Sequence, residues 1–342
     1  MPKTHFIPPR ELFAGILTRQ YILLPDGKAK IDVPGGDLLF TAAGFLLWES
    51  NPPPGLIARV GQDYPKEWIQ EIANRGLSTI GISVQSEDID LRQFIAYPDL
   101  QTRITDNPVP HFTRIGLPFP KSLLGYYNSN KGMDPLNKPT PTSLRKSDIP
   151  EDFSEVGAAH LGPIDYLTHS ILPAALRQAK VSTITVDPSP GYMNPSFWNH
   201  IPALVNGLTA FMPSEGELLN LFHGRSKDIW EMAEALASHG CDIIVVKRGL
   251  AGQLLYDANS RTRWELPAYP NRVFDPTGAG SSFCGGFLAG YRRTYDPLQA
   301  LLYGNISASF TVEGSDVWYP LDAMPGLPEA RMDAIRDTLH RI

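Results

Sequence analysis

Residues 275–287 read DPTGAGSSFCGGF. Gly278, Ala279 and Gly280 stand directly before a run with helical spacing, Phe283–Tyr291. A loop of this composition can turn successive amides toward one point. The helix behind it adds the positive end of its dipole, so together they suit a phosphate or a developing negative charge. Glycine also lets the backbone approach a ligand closely. The same residues fit a plain turn feeding a tightly packed helix, and spacing alone does not separate the two readings. Ser281 is likewise open: it suits a helix N-cap, or it stands in a reacting centre. Asp275 suits a carboxylate bonded to its own turn.

Working backward from this loop, the chain from Gly157 onward alternates strands and helices. Thr183–Val186, Ala210–Met212 and Ile243–Val246 are short apolar runs, as expected of strands covered on both faces. Leu172–Ala179, Ile229–Ser238 and Leu298–Val312 have helical spacing. This alternation predicts an α/β fold with a mostly parallel central sheet and helices on both faces. Ligands of such sheets sit at the carboxyl ends of strands. Three unusual loops, 187–190, 213–217 and 247–252, fall there.

The first third differs. Tyr21–Leu24 and Ala29–Val33 flank the turn Pro25-Asp26-Gly27 and predict a hairpin. Pro34-Gly35-Gly36 breaks the chain before a helix over Leu39–Trp48, and Tyr64–Arg75 predicts a second helix stopped by Gly76. Phe94–Tyr97 and Phe112–Ile115 read as strands of a small sheet apart from the main core. Residues 118–155, rich in Pro, Ser, Lys and Asn, read as a long surface loop.

Composition narrows the classes. The chain has 342 residues, 42% hydrophobic, with 30 basic and 36 acidic side chains and no basic stripe, which argues against a nucleic-acid partner. No apolar run is long enough to span a bilayer, and the N-terminus MPKTHFIPPRELF lacks the apolar core of a leader. The two cysteines, Cys241 and Cys284, are too few and too far apart for a disulfide framework or zinc site. They read as buried small residues of a soluble, cytoplasmic protein. The 32 prolines cluster in loops and imply stiff connections.

DPTGAGSSFCGGF resembles the C-terminal signature of the PfkB, or ribokinase-like, carbohydrate kinase family, written D-T-x-G-A-G-D-x-F-x-G-G. The resemblance extends through most of the chain. Pro34-Gly35-Gly36 resembles the N-terminal glycine pair, Arg59–Asp63 the G-x-V-G-x-D segment, and Pro213–Glu217 the P-N-x-x-E segment. Lys247–Gly252 resembles the strand-end G-x-x-G that meets nucleotide. Asp187-Pro188, Ala308-Ser309-Phe310 and Val312-Glu313-Gly314 are similar to a branch that includes fungal Mak32-like proteins. The resemblance implies one ribokinase-like domain over 1–342: a three-layer α/β/α sandwich with a small β-sheet lid from segments near 17–33 and 90–118. It implies ATP and Mg2+ as cofactors, a sugar or nucleoside-like acceptor, and, from lids that pair, a homodimer. Gly278, Ala279 and Gly280 would form the anion hole. Lys247, Arg248, Gly249, Gly252, Asp275 and Thr277 would meet nucleotide, and Glu217 would organise Mg2+ through water. Gly35, Gly36, Asp37 and Phe40 would face the substrate.

Departures from the pattern bear on activity. The family's catalytic Asp is Ser281 here, and a hydroxyl has no useful basicity near neutral pH. Ser214 replaces the asparagine of P-N-x-x-E, Phe40 replaces a sugar-contacting asparagine, and the early substrate-binding aspartate has no counterpart near Gly15–Leu23. Asp37 reads either as a helix N-cap or as a carboxylate facing a substrate hydroxyl. His160 and His223 read as packed or surface histidines, and Tyr192, Phe197 and Trp198 as packing. Three readings follow: a kinase slowed or altered by Ser281, a pseudokinase that binds nucleotide or metabolite, or a kinase whose base was replaced by an introduced substitution.

Overall fold

The computed structural model describes residues 7–128 and 132–342. The first six residues, part of the N-terminus read above, and three residues of the predicted 118–155 loop lie outside this description. In chain order the strands are β1 (Glu11–Ala14), β2 (Thr18–Leu23), β3 (Ala29–Gly35), β4 (Gly55–Val60), β5 (Ser78–Val84), β6 (Arg92–Ala96), β7 (Ala158–Leu161), β8 (Thr183–Val186), β9 (Ala210–Phe211), β10 (Ile243–Lys247), β11 (Gln253–Asp257), β12 (Thr262–Leu266) and β13 (His340–Arg341). The helices are α1 (Asp37–Leu46), α2 (Lys66–Asn74), α3 (Pro108–Arg114), α4 (Tyr166–Gln178), α5 (Ile201–Val205), α6 (Glu215–Leu221), α7 (Ile229–Ala237), α8 (Ala279–Thr294), α9 (Pro297–Glu313) and α10 (Leu327–Arg336). No helix among the described residues is long and apolar enough to cross a membrane.

Ten strands form the main sheet, in the order β13-β12-β11-β10-β9-β8-β7-β1-β4-β5. From β5 to β10 every pairing is parallel, and β11, β12 and β13 continue it antiparallel. Strand side chains alternate between faces, and the core splits accordingly. Phe13, Ala58 and Val245 point into a cluster with α1, α8 and α9, whereas Leu12, Ile57, Ile184 and Val246 point into one with α4, α6 and α7. The chain is therefore the three-layer α/β/α sandwich expected.

The helices α1 and α8 meet backbone to backbone. A Cβ added at Gly44 would stand 2.2 Å from the Ser282 carbonyl oxygen, and one at Gly285 would stand 1.9 Å from that of Thr41. The register, Phe40 against Gly278 and Gly44 against Ser282, shows that both helices run the same way. Their first turns therefore lie side by side at one end of the sheet.

The small sheet has the order β3-β2-β6. One face packs Tyr21, Phe94 and Phe112 together, and the other packs Ile22, Ile95 and Tyr97 against Phe274. Phe112–Ile115, expected as a strand, instead belongs to α3 and the turn that ends it. The physical reason lies in Pro108 and Pro110. Proline would forfeit ladder bonds in a strand, but the first turn of a helix needs no donors there. The loop 118–155 is less superficial than its composition suggested, since Leu123, Leu144 and Phe153 are buried in it.

Candidate active site

Because β1, β7, β8, β9 and β10 are parallel neighbours, the residues that follow them emerge along one edge. Gly15 and Ile16 follow β1, Gly162 follows β7, Asp187 follows β8, and Pro213-Ser214 lies just beyond β9. Lys247 closes β10. The first turns of α1 and α8 border this row.

Lys247 is the central cation. Its Nζ is 2.5 Å from Asp187 Oδ2 and 3.8 Å from Cys284 Sγ, and the Cys284 thiol donates to the same Asp187 oxygen at 3.6 Å. Burial pulls the Lys247 ammonium down, but Asp187, Cys284 and Glu217 outweigh it, so its pKa stands above the ordinary lysine value. Burial lifts the Asp187 carboxyl, opposed by Lys247. Burial and Asp187 together hold Cys284 as a thiol. Both cysteines are buried and unlinked, as the sequence implied.

Glu217 is fixed by a capping box at the start of α6. Its Oε2 accepts the Ser214 N–H and hydroxyl, each at 2.7 Å, and the Ser214 hydroxyl accepts the Glu217 N–H at 3.3 Å. Ser214 is thus a helix cap, which asparagine would also supply. Burial, then Asp187, raises the Glu217 pKa, while Lys247 lowers it.

Asp37 is the first residue of α1. Gly36, at φ 106°, is the N-cap, so the capping reading of Asp37 does not hold. Its carboxylate occupies space that only glycine leaves open: a Cβ at Gly15 or Gly162 would stand 2.5 or 2.2 Å from Oδ2. Both oxygens lie 3.4 Å from the Ile16 N–H. Burial raises its pKa well above the usual carboxylate range. Asp187 adds to the rise, while the Ile16 amide and Lys247 oppose it.

The glycine loop opens α8 with Gly278 as N-cap, at φ 80° and without any side-chain cap. Ser281 is the third residue of the helix and half-buried, so it is not the cap. The Phe40 ring packs on Gly278, where an added Cβ would meet it at 2.1 Å. Lys247 Nζ lies 3.6 Å from the Cβ position of Gly280. Before the loop, Asp275 accepts the Thr277 N–H at 2.9 Å and pairs with Lys30 of β3 at 2.5 Å. The Thr277 hydroxyl donates to Tyr97 at 3.1 Å, and Lys28 Nζ lies 5.0 Å from the centre of the Phe274 ring. The small sheet is thereby latched onto the signature loop.

Asp37, Phe40, Glu217, Lys247 and Gly278–Ser281 therefore converge, with Asp275 and Thr277 just behind. Gly35 is buried at the end of β3. Gly249 and Gly252 form the tight turn between β10 and β11, both at positive φ. Arg248 reaches Glu265 at 2.9 Å and Glu215 at 3.7 Å, because β12 lies beside that turn. His160 is buried in β7, with Nδ1 on the Thr185 hydroxyl at 2.9 Å and burial lowering its pKa to about 3, whereas His223 is exposed. Tyr192 and Phe197 are core residues, and Trp198 packs on Phe222. Asp187, Cys284, Lys30 and Tyr97 were not marked as site residues from sequence. Asp187-Pro188 closing an apolar strand was the one local signal among them.

A family model for pfkB family carbohydrate kinases matches residues 151–324, and the chain belongs to that family. It is 27% identical over 275 residues to a cytidine kinase of Thermococcus kodakarensis, covering 80% of this chain and 84% of that protein. It is 25% identical to Protein MAK32 of Saccharomyces cerevisiae over 316 residues, 82% of this chain and 78% of that one. An E.coli protein described as a ribokinase II, solved in complex with ATP and Mg2+, superposes with a TM-score of 0.68 at 19% identity, covering 95% of this chain and 99% of that one. The fold is ribokinase-like.

Proposed function

We propose that this protein transfers the γ-phosphoryl group of ATP to a hydroxyl of a nucleoside or sugar. The observation that carries the reading is the convergence of Asp187 and Lys247 at the ends of β8 and β10, with Asp37 and Glu217 from the first turns of α1 and α6, near the open N-terminus of α8. Phosphoryl transfer is chiefly positioning and charge neutralisation, and these groups serve both. The amides of Gly278, Ala279 and Gly280 donate to phosphoryl oxygens, and Lys247, at the edge of that loop, balances charge as it moves toward the leaving phosphate. Thr277 and Asp275 hold the loop in shape, Lys30 secures it from the small sheet, and the Gly249–Gly252 turn lines the nucleotide.

The residues fit Mg2+ bound through water. Among the described residues no group of three His, Cys, Asp or Glu side chains could grip an ion directly. Mg2+ characteristically keeps its waters and takes one or two carboxylates plus phosphates. Here Asp187 and Glu217 face a single ammonium, leaving an excess of negative charge that a divalent cation offsets. Mg2+ would neutralise the phosphate oxygens, held by Glu217 through water. Phe40, where the family pattern has a sugar-contacting asparagine, is buried with its ring on Gly278 and brings no polar group to an acceptor. The likeness to a cytidine kinase favours a nucleoside acceptor.

Ser281 favours a second reading, a nucleotide-binding pseudokinase. Incubating the protein with radiolabelled Mg·ATP and cytidine, inosine, ribose or fructose separates the two. The kinase reading expects labelled product from at least one acceptor, most from a nucleoside. Bound ATP with no product from any of them supports the pseudokinase.

A further inference from the structure

Ser281 leaves the kinase reading without a proton acceptor, and the present inference rests on that reading. The structure holds a carboxylate nearby, at the start of α1 and within electrostatic reach of Asp187 and Lys247. Because α1 and α8 run side by side in the same direction, Asp37 precedes by one turn the Phe40 ring that covers Gly278. Residues three apart on a helix share a face. Asp37 therefore stands on the glycine-loop side of α1, above the ends of β1 and β7.

Its surroundings do not suit a structural carboxylate. An ionised carboxylate has about four acceptor positions. Its donors are the Ile16 N–H, at a long 3.4 Å from either oxygen, and its own backbone N–H. Lys247, the nearby cation, is bonded to Asp187 instead. Gly15 and Gly162 withhold side chains so that the carboxylate can occupy its niche, yet the residue keeps partial exposure. A carboxylate given room and few donors is equipped to receive a proton. The titratable groups facing it are Asp187, from the end of β8, and Lys247, from the end of β10; Gly15, Ile16 and Gly162 on the β1 and β7 side bring none. Burial, then Asp187, raises its affinity for protons above that of an ordinary carboxylate, the direction a general base needs.

We propose that Asp37 is the general base of phosphoryl transfer, replacing the carboxylate missing at Ser281. The acceptor's hydroxyl oxygen forms a bond to the γ-phosphorus as its proton passes to the Asp37 carboxylate. The bond from the γ-phosphorus to the bridging oxygen breaks, and ADP leaves with the electron pair. The products are the phosphorylated acceptor, ADP and one proton, first held on Asp37 and then released to water.

The test measures kcat, KM for ATP and Mg·ATP affinity for the wild type, Asp37→Asn and the double variant Asp37→Asn/Ser281→Asp. The acceptor is whichever of cytidine, inosine, ribose and fructose the wild type turns over fastest. Asp37→Asn should lower kcat about 10²–10⁴-fold, the usual worth of a general base, with Mg·ATP affinity held within about threefold. Asp37→Asn/Ser281→Asp should regain at least about tenfold, because restoring a carboxylate on α8 replaces a base but not a lost structural contact. Wild-type kcat/KM should fall toward acid with an inflection above the ordinary carboxylate range, and this readout stands even if Asp37→Asn fails to fold. Asp37→Asn turning over at more than a third of the wild-type rate would overturn the assignment, as would a flat wild-type profile down to pH 5. A wild type that binds Mg·ATP but turns over no acceptor would instead remove the kinase reading itself, and this inference with it.

Discussion

Replacing Lys247 by Met isolates the ion pair at the centre of the site. Lys247 and Asp187 expose 12% and 5% of their side chains, so solvent screens the pair little. Removing one partner of a buried pair costs about 3–5 kcal/mol. The mutant can escape part of that cost by protonating the stranded carboxyl. Escape costs about 1.36 kcal/mol for each pH unit above the ordinary Asp pKa of about 3.9. That ceiling is roughly 4 kcal/mol at pH 7 and about 1.5 kcal/mol at pH 5. The sign follows from the stranded Asp187. Its folded pKa is raised, so the mutant gains stability relative to wild type as pH falls toward the unfolded value. Unfolding entropy of about 2.1 cal/mol/K per residue over 342 residues gives roughly 0.7 kcal/mol/K. Differential scanning calorimetry should then show Lys247→Met melting about 6 °C below wild type at pH 7 and about 2 °C below it at pH 5. Lys247→Met/Asp187→Leu should recover most of the loss, since two apolar side chains replace a buried pair at little cost. Equal melting of Lys247→Met and wild type at pH 7, or a gap that widens toward acid, would refute the reasoning.

Two further outcomes follow from the same geometry. His160 has its folded pKa lowered from 6.5 to about 3 by burial, helped by Lys247 and His169, so its share of stability is present above pH 6.5 and lost as pH falls toward 3. Between pH 7 and 4 the loss is about 3 kcal/mol, and His160→Phe should shrink the acid destabilisation measured by urea melts by about that much. Lys30 is 17% exposed and Asp275 3%, so Lys30→Met leaves a buried carboxylate with the Thr277 amide but without its cation. Hydrogen exchange over 18–35 and 92–97 should accelerate at least about tenfold, the equivalent of 1.4 kcal/mol of lost latching. Unchanged exchange there would show that the Ile22–Tyr97–Phe274 packing holds the small sheet alone.

The sandwich was legible because its cues are local. Apolar runs such as Ile243–Val246, with alternate residues feeding two cores, and the TGAG loop before a helix both specify structure from a few adjacent residues. Errors came where two elements compete for one pattern or where the partner is remote. Phe112–Ile115 has the β-prone residues of a strand, and the prolines that decide for helix precede it. β12 brings Glu265 to Arg248 from 17 residues away, a pairing the Lys247–Gly252 segment alone does not signal. Serine caps well, which made a cap one reading of Ser281, but Gly278 at positive φ starts the helix three residues earlier. Lys30 and Asp275 are 245 residues apart, a pairing no local rule can find. Asp37 stood out by its place after two glycines, but its niche required Gly15 and Gly162 from two other strands.

The most direct measurement is a calorimetric titration with Mg·ATP, run on the wild type and on Gly278→Ala. That substitution forces an αL residue against the Phe40 ring and spoils the amide loop without touching any charge. The account predicts micromolar binding by the wild type and a loss of at least about tenfold in Gly278→Ala, as expected when an anion-binding helix start is distorted. Wild-type protein that takes up no Mg·ATP to millimolar concentration, or a Gly278→Ala variant that folds and binds as tightly, would contradict it.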